Sequence, residues 1–183
     1  MTFLFDKETH IGTLDGCVIP SVTQVLKSHG LIGNWGTPEA LARGNRIDVG
    51  CQYLAEGDLD WGSVSAEDLP YLQAFEKFLK DLKPKKIIGH TQIYDPDFRF
   101  FGEFDFAIDG LLPDVKTGGP AKWHVLQGAG YWRLAGMNGL KPACLYLHPD
   151  GAYSLMPHGN AFQDWRKFQT LLSAYWIKEE YGN

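Results

Sequence analysis

The residues best suited to chemistry lie in one stretch, Phe101-Gly102-Glu103-Phe104-Asp105-Phe106-Ala107-Ile108-Asp109-Gly110-Leu111-Leu112-Pro113-Asp114-Val115-Lys116-Thr117-Gly118. Asp109-Gly110 between two apolar runs is a strong signal for a two-residue hairpin turn. Such a turn sets Ile108 opposite Leu111, and counting outward sets Asp105 opposite Asp114 and Glu103 opposite Lys116. Side chains alternate along a strand, so these four would share one face and leave Phe104, Phe106 and Val115 to a core. Two facing aspartates have β-carbons about 5 Å apart, where like charges destabilise a sheet. A divalent cation between them turns repulsion into attraction, and oxygen ligands favour Mg²⁺ or Mn²⁺. Lys116 stands beside that position, where an ammonium can steady an attacking water or the charge growing on a phosphate. The plainer alternative is a surface hairpin with an ordinary Glu103–Lys116 ion pair, since a D-x-K triplet alone is common.

Those side chains need a scaffold, and the sequence outlines one. The segment to about Gly16 reads as an extended arm or hairpin, and Pro20-Ser21-Val22-Thr23 opens a short helix ending near Gly30. Thr37 caps a second helix with Pro38 at its first position, running to roughly Leu54. After a polar loop over 57–64, Leu69, Leu72, Phe75, Leu79 and Leu82 recur at helical spacing, with Pro84 as the stop. Strands are expected over 87–94, 99–108 and 111–117, then a helix from Ala121 to about Ala135. A second strand pair spans 142–148 and 152–156. The last helix should bury Phe162, Trp165, Phe168, Leu172 and Trp176 behind an Asn160 cap. This order predicts a mixed α/β fold, and 183 residues fit a single domain over 1–183.

Composition narrows the function classes. Three widely spaced cysteines without a C-x-x-C pair speak against a zinc ribbon or a four-cysteine cluster and for free, mostly buried thiols in a reducing compartment. Neither a signal peptide nor a membrane-length apolar run is visible, so a soluble cytoplasmic protein, in a bacterial cell or phage-infected host, is expected. The net charge of −5 argues mildly against nucleic acid, but a metal site itself concentrates carboxylates. Lys80, Lys83, Lys85 and Lys86 read as a solvated face.

The motifs resemble the PD-(D/E)XK nuclease superfamily, in particular its RecB-like and phage-type exonuclease branch. Gly102-Glu103-Phe104-Asp105, Asp114-Val115-Lys116-Thr117-Gly118 and Gln127-Gly128-Ala129-Gly130-Tyr131 match that branch's G-x-x-D, D-x-K-T-G and Q-x-x-x-Y signatures in order. Pro20-Ser21-Val22-Thr23 resembles a segment that opens several members, and Arg43-Gly44 the start of the helix with the first motif. The likeness covers about residues 18 to 148. It implies a restriction-endonuclease-like central mixed sheet flanked by helices, and Mg²⁺- or Mn²⁺-dependent hydrolysis of DNA. It makes Asp105, Asp114 and the Val115 carbonyl metal ligands and has Lys116 orient the water. Gln127 and Tyr131, one helical turn apart, would sit near the phosphate or the water, or form a buried polar pair. Arg43 joins the substrate-binding candidates. Homo-oligomers, and a single-strand annealing or recombination partner, follow from the branch alone.

One position departs from the pattern. Where the first-motif helix usually presents a histidine, this chain has Asp48, still an oxygen ligand. Ser21 and Thr23 could bind a phosphate at a helix start or merely cap it. Of six scattered histidines only His124, one turn before Gln127, suggests a role. Two rivals remain: a nuclease-fold protein with a degraded site that binds DNA or assembles, and a glycoside hydrolase. The second gives no reason for a lysine two residues after a carboxylate.

Overall fold

Capping side chains, prolines and glycines set where the elements begin and end. The computed structural model describes residues 1–6, 9–33, 37–137 and 139–182. Strands β1 (Phe3–Asp6), β2 (Ile11–Leu14) and β3 (Cys17–Ile19) form a small antiparallel sheet. The expected N-terminal hairpin thus gains a third strand, turned at Asp15-Gly16, where φ is 49° and 82°. Helix α1 (Val22–Ser28) opens on Ser21, which accepts from the Gln24 amide while the Gln24 side chain accepts from the Ser21 amide. Helix α2 (Pro38–Glu56) carries the Thr37 cap and first-turn proline the sequence predicts. A short 3₁₀ turn (Trp61–Ser63) interrupts the polar loop, and α3 (Leu69–Leu82) follows.

The main sheet has the order β4 (Ile87–Asp95), β5 (Phe100–Ile108), β6 (Leu111–Lys116), β7 (Lys141–Leu147), β8 (Tyr153–Pro157). Neighbours are antiparallel except β6 and β7, which run parallel with Asp114 beside Cys144 and Lys116 beside Tyr146. A parallel pair needs a crossover, and α4 (His124–Leu134) supplies it. Helix α5 (Ala161–Tyr181) starts with Asn160 accepting from the Gln163 amide at 3.0 Å.

Two apolar clusters sandwich this mixed sheet. Phe100, Phe104, Leu112, Leu134 and Phe168 join it to α1, α4 and α5. Ile47, Phe75, Phe78, Phe106 and Leu145 join it to α2 and α3. Helices therefore cover both faces, as buried parallel strands require. Phe162 departs from expectation and is exposed, because it lies in the first turn of α5, before the stretch Trp165–Leu172 that packs inward. Two charged anchors fix the helices. Arg46 of α2 forks onto Asp68 at 2.7 and 2.9 Å, and Arg133 of α4 meets Asp95 at the end of β4 at 2.8 Å. No helix among the described residues is long and apolar enough to cross a membrane.

The central hairpin follows its predicted turn but not the full predicted register. Asp109 and Gly110 have φ 43° and 87°, and Ile108 faces Leu111. Among the described residues this is the one ladder pair between β5 and β6. The next position that would donate is Pro113, which has no N–H. Beyond it the Val115 N–H is taken by Asp105 Oδ2 at 2.7 Å. Glu103 consequently does not pair with Lys116. It stands opposite Gln92 of β4, with its carboxylate 3.6 Å from His90 Nδ1. Alternation breaks as well: Phe104 packs under α4 and α5, whereas Phe106 and Val115 pack under α2 and α3. The break falls at Asp105, whose counterpart across β4, His90, is skipped in the ladder and has φ 41°.

Candidate active site

The interrupted ladder leaves Asp105 and Asp114 beside Lys116 under helix α4. Asp105 is half-buried, held by the Val115 N–H. Asp114 is buried, its side chain 5% exposed, and Lys116 Nζ lies 2.5 Å from its Oδ2. Lys116 is the close ionic partner of Asp114 Oδ2 among the described residues. Burial first, and the Asp114 charge second, push Asp105 up to about 8. Lys116 is half-buried, but Asp114 and Asp105 outweigh the desolvation and raise it above the usual lysine range, so it stays an ammonium. Trp123, which the sequence did not single out, places its ring 6.0 Å from Lys116 Nζ.

Helix α4 brings the other polar groups. Gln127 Nε2 donates to Tyr131 Oη at 3.2 Å, while Gln127 Oε1 is buried without a partner. Burial, then the charges of Asp114 and Asp105, raise Tyr131, so its phenol stays protonated. The close approach of Tyr131 depends on Gly102, where an added Cβ would stand 2.9 Å from the ring. His124, on the same helix face, bonds Tyr146 Oη at 2.9 Å, and burial together with Lys116 lowers it to about 4. It is neutral and engaged with Tyr146.

Helix α2 closes the site from the other face. Gly44 approaches Thr117, and Asp48 one turn later lies 3.7 Å from His90 Nε2. Asp48 is raised chiefly by burial, with Glu103 and Asp114 adding to the effect against His90 and Lys116. Asp48 thus shares an electrostatic neighbourhood with both sheet aspartates. Arg43 does not reach this place: it lies 3.5 Å from Glu67 and over the Tyr71 ring, on the side of α2 that faces α3.

A cleft of about 560 Å³ opens next to the carboxylates, lined by Ser21, Thr23, Lys27, Asn45, Glu103 and Tyr131 among others. Ser21 is engaged in its capping box, but Thr23 and Lys27 border this cleft. The structure thus gathers Asp105, Asp114, Lys116, Gln127, Tyr131 and Asp48 at one place, puts Ser21 and Thr23 in the adjoining cleft, and leaves Arg43 outside. Sequence reasoning missed His90, Asn45 and Gln92. Only a full strand and helix register could have found them, because none belongs to a motif.

A divalent cation fits these groups. Gln127 Oε1 is a buried acceptor without a partner, Asp114 Oδ2 has the Lys116 ammonium against it, and Asp105 is held near neutral beside them. Buried oxygens left in this way call for a donor or a cation. Among the described residues no three His, Cys, Asp or Glu side chains converge on one ion position.

The fold, a mixed five-stranded sheet between helices, is similar to that of solved exonuclease structures. An alkaline exonuclease from Laribacter hongkongensis is similar with a TM-score of 0.50 at 16% identity, over 87% of each chain. Its complex with dAMP gives 0.53 at 15% identity over 88% of each chain. A putative exonuclease from Eubacterium rectale gives 0.55 at 13% identity, over 85% of this chain and 71% of the other. No family model matches the sequence. No curated protein matches it either.

Proposed function

We propose that this chain is a Mg²⁺- or Mn²⁺-dependent DNA nuclease that cuts phosphodiester bonds, acting as an exonuclease. The observation that carries the reading is the Asp105–Asp114–Lys116 group, in which the buried Asp114 carboxylate holds the Lys116 ammonium beside a second aspartate. Asp105, Asp114 and the Val115 carbonyl would hold the cation, with Asp48 facing them from α2. When bound, the cation would polarise a phosphate oxygen and lower the pKa of water. The remaining work falls to protein groups. Lys116, kept charged by its two aspartates, orients the attacking water and offsets charge on the phosphate. Gln127 Oε1 is a spare acceptor for that water. Tyr131 accepts from Gln127, which leaves its own O–H to donate to a phosphate oxygen.

The exonuclease preference rests on the shared fold, and the neighbour solved with dAMP supports a nucleotide ligand. A role in DNA recombination or repair follows from the same likeness. One observation favours a second reading, a degraded nuclease that binds DNA without cutting: Asp48 stands where the pattern has histidine. Incubation with linear and with closed circular DNA in Mg²⁺, Mn²⁺ or EDTA decides between them. Loss of linear DNA alone, only with metal, is the expected result. DNA binding with no cleavage under any metal would establish the second reading instead.

A further inference from the structure

The small N-terminal sheet borders the cleft beside the carboxylates, and the chemistry above gives it no task. Phe5 of β1 and His10, in the turn before β2, line that cleft together with Phe101 of β5. Their rings touch in series, Phe5 meeting Phe101 at 5.5 Å and His10 at 6.0 Å between centroids. Phe101 is buried, but Phe5 is only half-buried and His10 is exposed, so ring surface is left bordering the cleft. This aromatic wall is tied to the main sheet. Phe101 lies so close to β2 that a Cβ on Gly12 would stand 2.5 Å from its ring, and its amide donates to the Pro20 carbonyl at 3.0 Å. Phe101 precedes Asp105 on β5 by only about 13 Å of strand, close enough for one DNA strand to reach both.

The polar groups of the lining complement the rings. Ser21 and Gln24 are engaged in their capping box. Lys27 of α1 brings a positive charge, while Asn45 of α2 and Gln92 of β4 bring amides that both donate and accept. Glu103, opposite Gln92 in the ladder, adds an acceptor that would repel a phosphate placed against it. Rings, amides and one ammonium match the parts of a nucleotide, a flat base with a polar edge and an anionic backbone. A volume of about 560 Å³ suits a ligand of that size. We propose that the cleft takes one unpaired nucleotide of the strand being cut, its base stacked on Phe5 with His10 at the rim. The base edge faces Gln92, Asn45 and Glu103, and the phosphate lies toward Lys27. A base inside a duplex has both faces covered by its neighbours, so an aromatic wall selects a single-stranded or frayed end. Stacking tolerates any base, as digestion of arbitrary sequence requires. The inference rests on the proposed nuclease, but stacking has a readout of its own.

Single-stranded oligonucleotides with 2-aminopurine at the 5′ or the 3′ end report stacking by loss of fluorescence. They are titrated with the full chain in EDTA, where the proposed cleavage stops. Wild type should quench the probe at one end at least. Phe5→Leu keeps apolar packing against Phe101 but removes the ring. It should lose the quenching and raise KM for linear DNA in Mn²⁺ roughly five- to hundredfold, with kcat within about twofold. Phe5→Tyr should restore both. His10→Asn, chosen because asparagine tolerates the φ of 55° there, should shift KM less in the same direction. Thermal unfolding of each variant shows that the fold is kept. An unchanged KM in Phe5→Leu, no quenching by wild type, or no rescue by Phe5→Tyr overturns the cleft assignment, and wild-type cleavage alongside leaves the nuclease reading standing. Quenching that Phe5→Leu loses, without cleavage in any metal, keeps the cleft and overturns the nuclease. A wild type that neither quenches nor cuts sinks both.

Discussion

Asp105→Asn should stabilise the metal-free protein at alkaline pH while removing cleavage. Asp105 is carried from 3.8 to about 8, first by burial and then by the Asp114 charge. A carboxyl with a raised folded value binds more protons folded than unfolded between those two values. Stability is therefore full below about pH 4 and falls as pH rises through about 8. A shift of this size sets a ceiling of about 6 kcal/mol. Asp105 is only half-buried, and solvent screening and side-chain adjustment bring the expected loss to about 2–3 kcal/mol. Asparagine keeps an acceptor for the Val115 N–H and presents an amide donor instead of a charge to Asp114.

Urea unfolding in EDTA at about pH 5, 6.5 and 8 tests this. Wild type should lose about 2–3 kcal/mol across that range, and Asp105→Asn less than about 1 kcal/mol. Mg²⁺ or Mn²⁺ should restore the loss in wild type and do little for the variant, because the cation replaces the missing proton. Parallel pH curves for the two proteins, or a variant less stable than wild type at about pH 8, would refute the account of strained, unpaired carboxylates.

Three further outcomes are expected. Lys116→Ala should abolish cleavage, by roughly 10²-fold or more, with DNA and metal binding largely retained; gel assays and metal titration check it, and turnover within a few-fold of wild type would end the mechanism. Asp48→Ala should weaken Mn²⁺ binding about tenfold along with cleavage, and Asp48→His should keep partial activity; normal cleavage by the alanine variant would remove Asp48 from the ligands. Gly102→Ala places a methyl 2.9 Å from the Tyr131 ring and 3.0 Å from Leu134, so denaturant unfolding should show a loss of about 1–3 kcal/mol, together with slower cleavage.

Where local chemistry decided the structure, the sequence was readable. Thr37-Pro38 opens α2, Ser21 and Gln24 close a capping box, and Asp109-Gly110 makes the two-residue turn. These are interactions within a few residues, so composition at those positions suffices. The pairing beyond the turn was not readable in the same way. It assumed an ideal ladder, whereas Pro113 withholds a donor and Asp105 takes the Val115 N–H for its side chain. Glu103 then faces β4 rather than β6, a choice made by a strand more than ten residues earlier. The direction of Arg43 was hidden too, since it depends on α3 lying beside α2.

Several departures from local rules cluster within one small region. His90 breaks β geometry, Asp105 breaks the alternation of β5, and Pro113 ends the ladder. Gln127 leaves a buried acceptor unsatisfied, and Asp114 is buried against Lys116 with a second aspartate beside it. A sequence selected for stability alone would remove such conflicts one by one, because each is locally unfavourable and none supports the core. Surface charge does not explain them either, for Asp114 and Gln127 are buried and the aspartates repel each other. A cation bound as proposed would relieve several together, supplying charge to Asp105 and Asp114 and a partner to the spare Gln127 oxygen. On this argument the irregular backbone and the acidic pocket are a single feature, and a perturbation that removes the metal should loosen β4 and β5 at His90 and Asp105 before any other part of the sheet. Hydrogen exchange at those two strands, with and without Mn²⁺, measures it directly; equal protection in both conditions would separate the strain from the metal.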